Sequence, residues 1–424
     1  MNNNKLLITI GIVVGLIFLG GTYTAFTVNN KNLHAIAKNP NPPEILENYT
    51  SNEVWGKIYP TQWESYRKGL QSDTKTKYGG NARESKLDLF PYLKTFYAGL
   101  GYSEEFWEPR GHPYAVDDIK SVPGSRKKTG GACLTCKSPQ VPDLIEKYGD
   151  DFYTAPFDEM VEHVTDPIGC YDCHDKETNE LRISRPALIK AFERQGKDIT
   201  QASQNEMRSL VCAQCHVTYY FLDETKETTF PWDEGLKADE IYEYYQKKEY
   251  TEWEHPITQA GLVKARHPDY ELFVGSTHHA AGISCADCHM PYVKEGDAKA
   301  TSHWWVSPLL TIEESCSQCH PQGGEYLRNR VYDIQDQHAE LLDLAEKALI
   351  GAVESIEAAV NNPNVEQELL KQAQETYRKA FWYFDYISTA NSVGFHNPQE
   401  AAKVLGFSIQ YANEAIQAAK DAIR

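Results

Sequence analysis

Every one of the ten cysteines in this chain belongs to a C-x-x-C pair: Cys133/Cys136, Cys170/Cys173, Cys212/Cys215, Cys285/Cys288 and Cys316/Cys319. Four pairs run straight into histidine, at His174, His216, His289 and His320, whereas the first runs into Lys137 as CLTCK. C-x-x-C-H is the attachment signature of a c-type haem: two thiols add to the haem vinyl groups, and the adjacent imidazole is held against the iron. The competing uses of such pairs are four-cysteine zinc sites and redox dithiols. Five pairs cannot close evenly into four-cysteine sites, and zinc leaves the four histidines unexplained. The expectation is five covalently bound c-type haems.

Cofactors of that size replace much of an apolar core. Between residues 53 and 330 little alternates with the period of a strand, and Trp, Tyr, Pro and Gly punctuate short helical pieces around each motif. From Asp333 the texture changes, with Leu342, Ala345, Leu349, Ala352, Val353, Ile356 and Val360 at helical spacing until NNPN breaks the pattern at 361–364. Two more helices are expected, over 365–390 and from Gln399 to the end. The expected fold is mainly α, a multihaem cytochrome c fold with little β structure and long C-terminal helices. Residues 53–330 form the pentahaem region and 331–424 an appended helical region, whose apolar stripes serve either internal packing or a homodimer interface.

At the other end, Lys5 precedes an uncharged apolar run over residues 6–28, long enough to span a bilayer. It exceeds a usual cleaved core and no A-x-A site directly abuts it, which favours a signal anchor over a removed signal peptide within 1–28. An extracytoplasmic address agrees with haem attachment. The Asn- and Pro-rich stretch 29–52 reads as a linker. A net charge of -18 argues against a nucleic-acid partner.

An amine in place of one imidazole has a chemical meaning. Two strong imidazoles saturate a haem iron, which suits electron transfer; catalysis needs an open position, and a coordinated lysine is held neutral by the metal. CLTCK followed by four CxxCH motifs, with VWGKIYPTQWESY, RGHPYAVDDI, CAQCHVTYYF, KARHPDY and TSHWWVSPL in order between them, resembles pentahaem cytochrome c nitrite reductase, the ammonia-forming enzyme. The resemblance covers the chain from Val54 to His396. It implies six-electron reduction of nitrite to ammonium at the Lys137 haem, with the other four haems relaying electrons. By position in the family, His112 completes the Cys212/Cys215 haem, His278 the Cys316/Cys319 haem, His303 the Cys170/Cys173 haem and His396 the Cys285/Cys288 haem.

The same resemblance implies three catalytic residues: His267 to bind a nitrite oxygen and deliver protons, Tyr219 as a phenolic donor, and Arg126 as fixed positive charge. SVPGSRKKTGG is spaced differently from its family counterpart, so Arg110 is the alternative to Arg126. Many members hold calcium through a glutamate, a glutamine and a lysine carbonyl; here those places carry Thr218, Arg266 and Lys264. Two oxygen ligands are lost, so calcium is expected to be absent, with Arg266 as its substitute. The implied electron donor is a membrane-bound quinol-oxidising multihaem cytochrome. Other readings are a related enzyme acting on hydroxylamine or sulfite and a pure electron-transfer cytochrome.

Overall fold

The computed structural model describes residues 41–295 and 298–424. The apolar run over 6–28 lies outside them, and among the described residues no helix is long and apolar enough to cross a membrane. Short helices and 3-10 turns, none longer than the ten residues of Gln204–Ala213 and Ala238–Lys247, follow one another along the described chain up to Gly324. Among the described residues strand is confined to three antiparallel hairpins: Tyr220–Phe221 with Thr228–Thr229, Trp253–Glu254 with Gly261–Leu262, and Tyr292–Glu295 with Ala298–Thr301. The mainly α expectation holds.

The linker reading fails over 41–52. Pro43–Glu47 and Asn52–Ile58 are helices, and Ile45 is buried against Trp55 and Tyr171. Asn52 reaches across the fold to donate to the Pro167 carbonyl and to accept from the Cys170 amide. An Asn- and Pro-rich composition marks turns, and here the turns cap helices that carry a few aromatic anchors inward.

Three long helices close the chain, Gly324–Val360, Gln367–Ser388 and Pro398–Asp421. The first begins nine residues before the expected change of texture, so a boundary at 330/331 falls inside a helix. The third starts as HNPQE spells it: the Asn397 side chain accepts the Glu400 amide, and Pro398 takes the first turn, where no amide is needed. Ala345, Leu349, Ala352, Val353 and Ile356 are all buried inside the chain.

Nor is this region merely appended. The largest apolar cluster runs without a break from Leu87 through Trp232 and Tyr245 to Phe381, Trp382 and Ala415. Phe381 meets Trp253 edge-on at 5.8 Å, and the Trp382 indole donates to the Ala238 carbonyl. The C-terminal helices are thus the core on which the segment 236–273 is laid, and that segment carries Arg266 and His267.

Candidate functional site

Each cysteine pair sits on one helical turn. Cys170–Cys173 and Cys285–His289 are short helices, and Gly130–Leu134 is a 3-10 turn. Residues three and four apart share a helix face, so two thiols and the next side chain all point one way. Asp172 and Asp287 secure their turns by accepting the Gly169 and Ser284 amides. Before Cys133, Gly131 lets the backbone pass close to its neighbour: a Cβ there would lie 2.0 Å from the Phe152 carbonyl. All ten cysteines are free, and among the described residues no four of them gather as metal ligands.

One pair differs from the others in burial. Nine cysteines are half-buried, but Cys319 is exposed. The reason is local. Its turn is closed by the Cys319 and His320 amides on the Cys316 carbonyl, and the chain then runs through exposed Pro321, Gln322 and Gly323 before the helix at Gly324. Only Cys316 turns inward, against the apolar cluster of Leu309, Ile312 and Val331. Cys319 therefore stands at the surface of the chain.

The histidines are brought together in pairs. Ring centres lie 6.0 Å apart for His112 and His216, 6.3 Å for His174 and His303, 6.2 Å for His278 and His320, and 6.4 Å for His289 and His396. In each case a histidine from a C-x-x-C-H motif faces one from a distant segment. Burial, with the neighbouring imidazole second, pushes His112 down to about 3 and His303 to about 4. The Nδ1 atoms of His112, His267 and His396 are buried without a hydrogen-bond partner. By contrast His255 is satisfied, against Thr258 Oγ1 and the Thr95 carbonyl.

Lys137 is half-buried, and among the described residues no hydrogen bond or ion pair engages its amine. Burial holds His267 down at about 3, so that imidazole is neutral. Tyr219 lies 6.1 Å from His267, ring to ring, and burial raises its phenol far above the usual range. Arg126, on the turn Gly124–Lys127, packs its guanidinium 4.2 Å from the Tyr102 ring and donates to the Tyr102 hydroxyl at 3.3 Å. Among the described residues it pairs with no carboxylate. Arg110 is engaged elsewhere, bonded to Asp118 at 2.7 Å and stacked on Tyr114 at 4.0 Å.

Arg266 is buried with its guanidinium 5.3 Å from the Tyr219 ring centre. It donates to the Lys264 carbonyl at 3.0 Å and pairs with Glu252 at 2.5 Å. Glu252 has no sequence motif, and it corrects one expectation: the charge of Arg266 is largely offset where it stands. The Lys264 amine turns away from the site to Asp385, 3.1 Å distant and 121 residues on. Asp269, two after His267, accepts from Asn391 and lies 3.6 Å from His216 Nδ1 and 3.8 Å from His396 Nδ1.

Glu271 was also missed. It is 4 % exposed; one oxygen accepts from the Thr218 amide and the Trp232 indole, and the other has no partner. Burial raises its carboxyl to about 8. A carboxyl raised on folding stabilises fully below its unfolded value of about 4.5, and that contribution is lost as pH rises through about 8. Glu271→Gln keeps the acceptor and cannot ionise. The variant is therefore expected to match the wild type in thermal stability at pH 5 and to exceed it at pH 9; equal melting temperatures at pH 9 would refute this.

Residues 51–423 match the model of the cytochrome c552 family. The chain belongs to that family. Among its relatives, a cytochrome c-552 of Bacteroides fragilis is 37 % identical over 96 % of this chain and 82 % of its own. A cytochrome c nitrite reductase subunit of Nitratidesulfovibrio vulgaris is 34 % identical over 94 % of this chain and 84 % of its own. The solved catalytic subunit of cytochrome c nitrite reductase from Desulfovibrio desulfuricans, described with two calcium sites, superposes with a TM-score of 0.84 at 34 % identity, covering 88 % of this chain and 86 % of that one. Membership implies covalently bound c-type haem and an oxidoreductase.

Proposed function

We propose that this chain reduces nitrite to ammonium at a c-type haem held by Cys133, Cys136 and Lys137, with four bis-histidine haems relaying electrons. One observation carries the reading. Metal–imidazole bonds of about 2 Å on each side of an iron put two ring centres about 6 Å apart, and four C-x-x-C-H motifs have a second imidazole at that separation. The fifth motif offers a lone amine instead. The ligand pairs are then His216 with His112, His174 with His303, His320 with His278, and His289 with His396, each with the thioethers of its own cysteine pair.

The lysine-ligated haem supplies electrons and one open coordination position. The chain's own residues do the rest. Arg126, without a carboxylate partner, offers an uncompensated positive charge to an anionic substrate. His267, neutral and buried, takes up a proton and passes it to a substrate oxygen, while Tyr219 stays protonated and so remains a donor. Arg266 holds the Tyr219 ring in place of a calcium ion: its guanidinium occupies the Lys264 carbonyl, which the resemblance gives to calcium. The long C-terminal helices, which expose Leu344 and Phe407, are the part of the chain given to a homodimer contact. An extracytoplasmic location, anchored through 1–28 and fed by a membrane-bound quinol-oxidising multihaem cytochrome, completes the proposal.

The test is direct. Purified protein is expected to carry five haem mass additions, to show one high-spin haem beside four low-spin ones, and to form ammonium from nitrite with a reduced viologen dye. Fewer additions, or five haems with no ammonium formed, would overturn the reading.

A further inference from the structure

Three of the five motifs meet at one buried arginine. Arg185 is 0 % exposed and follows Ser184 in the strand-like run ISRP. Its Nε donates to the Thr135 carbonyl at 2.5 Å, one Nη to the Ser138 carbonyl at 2.9 Å and to Asp172 at 2.5 Å, and the other Nη to Ser184 Oγ at 2.7 Å. Ser184 is bonded in turn to Gln214, whose amide donates to the Asp172 carbonyl at 3.0 Å. Thr135, Asp172 and Gln214 hold the same place in their motifs, the residue just before the second cysteine of CLTC, CYDC and CAQC.

Packing alone does not call for this. A guanidinium out of water costs several kcal/mol, offset only where geometry and acceptors are complete, and here a carboxylate and three oxygens complete it. Thr135 and Ser138 bracket Lys137, so the bonded carbonyls clamp the backbone on both sides of the one amine ligand. Asp172 belongs to the attachment turn of the second motif and Arg185 bonds the turn of the first, so the ion pair joins the two.

We propose that Arg185 is a positioning residue: it fixes Lys137 and sets the electron affinity of the lysine-ligated site relative to its Cys170/Cys173 and Cys212/Cys215 neighbours. This rests on the reading of Cys133–Lys137 as a haem site. Haem potential follows nearby charge and hydrogen bonding, so breaking the pair from either side has opposite consequences. Arg185→Met leaves Asp172 unopposed and is expected to shift the high-spin haem to more negative potential. Asp172→Asn leaves Arg185 unopposed and is expected to shift it to more positive potential, and the double variant is expected to return toward the wild type.

The measurement is spectroelectrochemical titration of the full-length, haem-loaded protein, with haem counted by mass. Five haems retained with no shift, or with both single variants shifting the same way, overturns the proposal. If Arg185→Met loads fewer haems, Asp172→Asn decides alone, because it keeps the size of the side chain and one of its two acceptor oxygens: a positive shift supports, and no shift overturns. Failure of the underlying reading is separate, since the wild type would then itself lack a haem on Cys133 and Cys136.

Discussion

Lys137→His is expected to lose at least about tenfold in nitrite turnover, and His267→Ala about a hundredfold, while both variants keep five haems and still pass electrons among the low-spin four. The two losses have different origins. An imidazole in place of the amine makes the first motif like the other four and open to a second histidine. His267 lies 6.1 Å from Tyr219, ring to ring, beside the residue that the proposal gives to the same substrate. Removing it leaves the open position and takes away the neutral base whose buried Nδ1 has no partner in the resting protein. The comparison is made at saturating reduced dye, where a lowered kcat with five intact haems reports transition-state loss. Unchanged turnover in either variant would place the chemistry at another haem.

The catalytic frame was legible because haem attachment is written in adjacent residues. C-x-x-C-H needs two thiols and an imidazole on one face of one turn, and sequence spacing alone decides that. Spacing does not say how deep a turn lies, which is why exposed Cys319 reads in sequence like its nine half-buried counterparts. The distal histidines are a different case. His112 and His216 are 104 residues apart, and nothing local to RGHPY says which iron it serves; only likeness to a family paired them.

Long-range polar partners were not legible at all. Lys264 finds Asp385 on a helix 121 residues away, and Arg266 finds Glu252 across the hairpin of Trp253–Glu254 with Gly261–Leu262. Their identities are set by how the segment 236–273 lies on the C-terminal helices, and charge patterning along the chain carries no trace of it. The segment 41–52 misled for a related reason, since its composition is that of a linker and its buried side chains, Asn41, Ile45 and Asn52, are spread singly along it.

The Arg266–Glu252 pair changes what the absence of calcium ligands predicts. A bare guanidinium beside Tyr219 would work by adding positive potential for nitrite; one held at 2.5 Å by a carboxylate works chiefly by position. With the side chains 6 % and 16 % exposed, removing one partner leaves the other charge buried and unpaired, at about 3 kcal/mol or more. Arg266→Gln is therefore expected to unseat the Tyr219 ring and to leave Glu252 negative beside the substrate, raising the KM for nitrite about tenfold or more. Arg266→Gln with Glu252→Gln, which removes both charges, is expected to recover KM but not all of kcat, because Tyr219 remains without its support.

Calcium gives the decisive contrast. The wild type is expected to be indifferent to chelator. The single Arg266→Gln variant frees the Lys264 carbonyl and the Glu252 carboxylate and adds an amide oxygen, which together are hard-cation ligands, so millimolar calcium is expected to restore part of its activity. A second substitution, Thr218→Glu, supplies another carboxylate and should strengthen that response. Inactivation of the wild type by a chelator and its recovery with calcium would show that Arg266 is not standing where the ion would be.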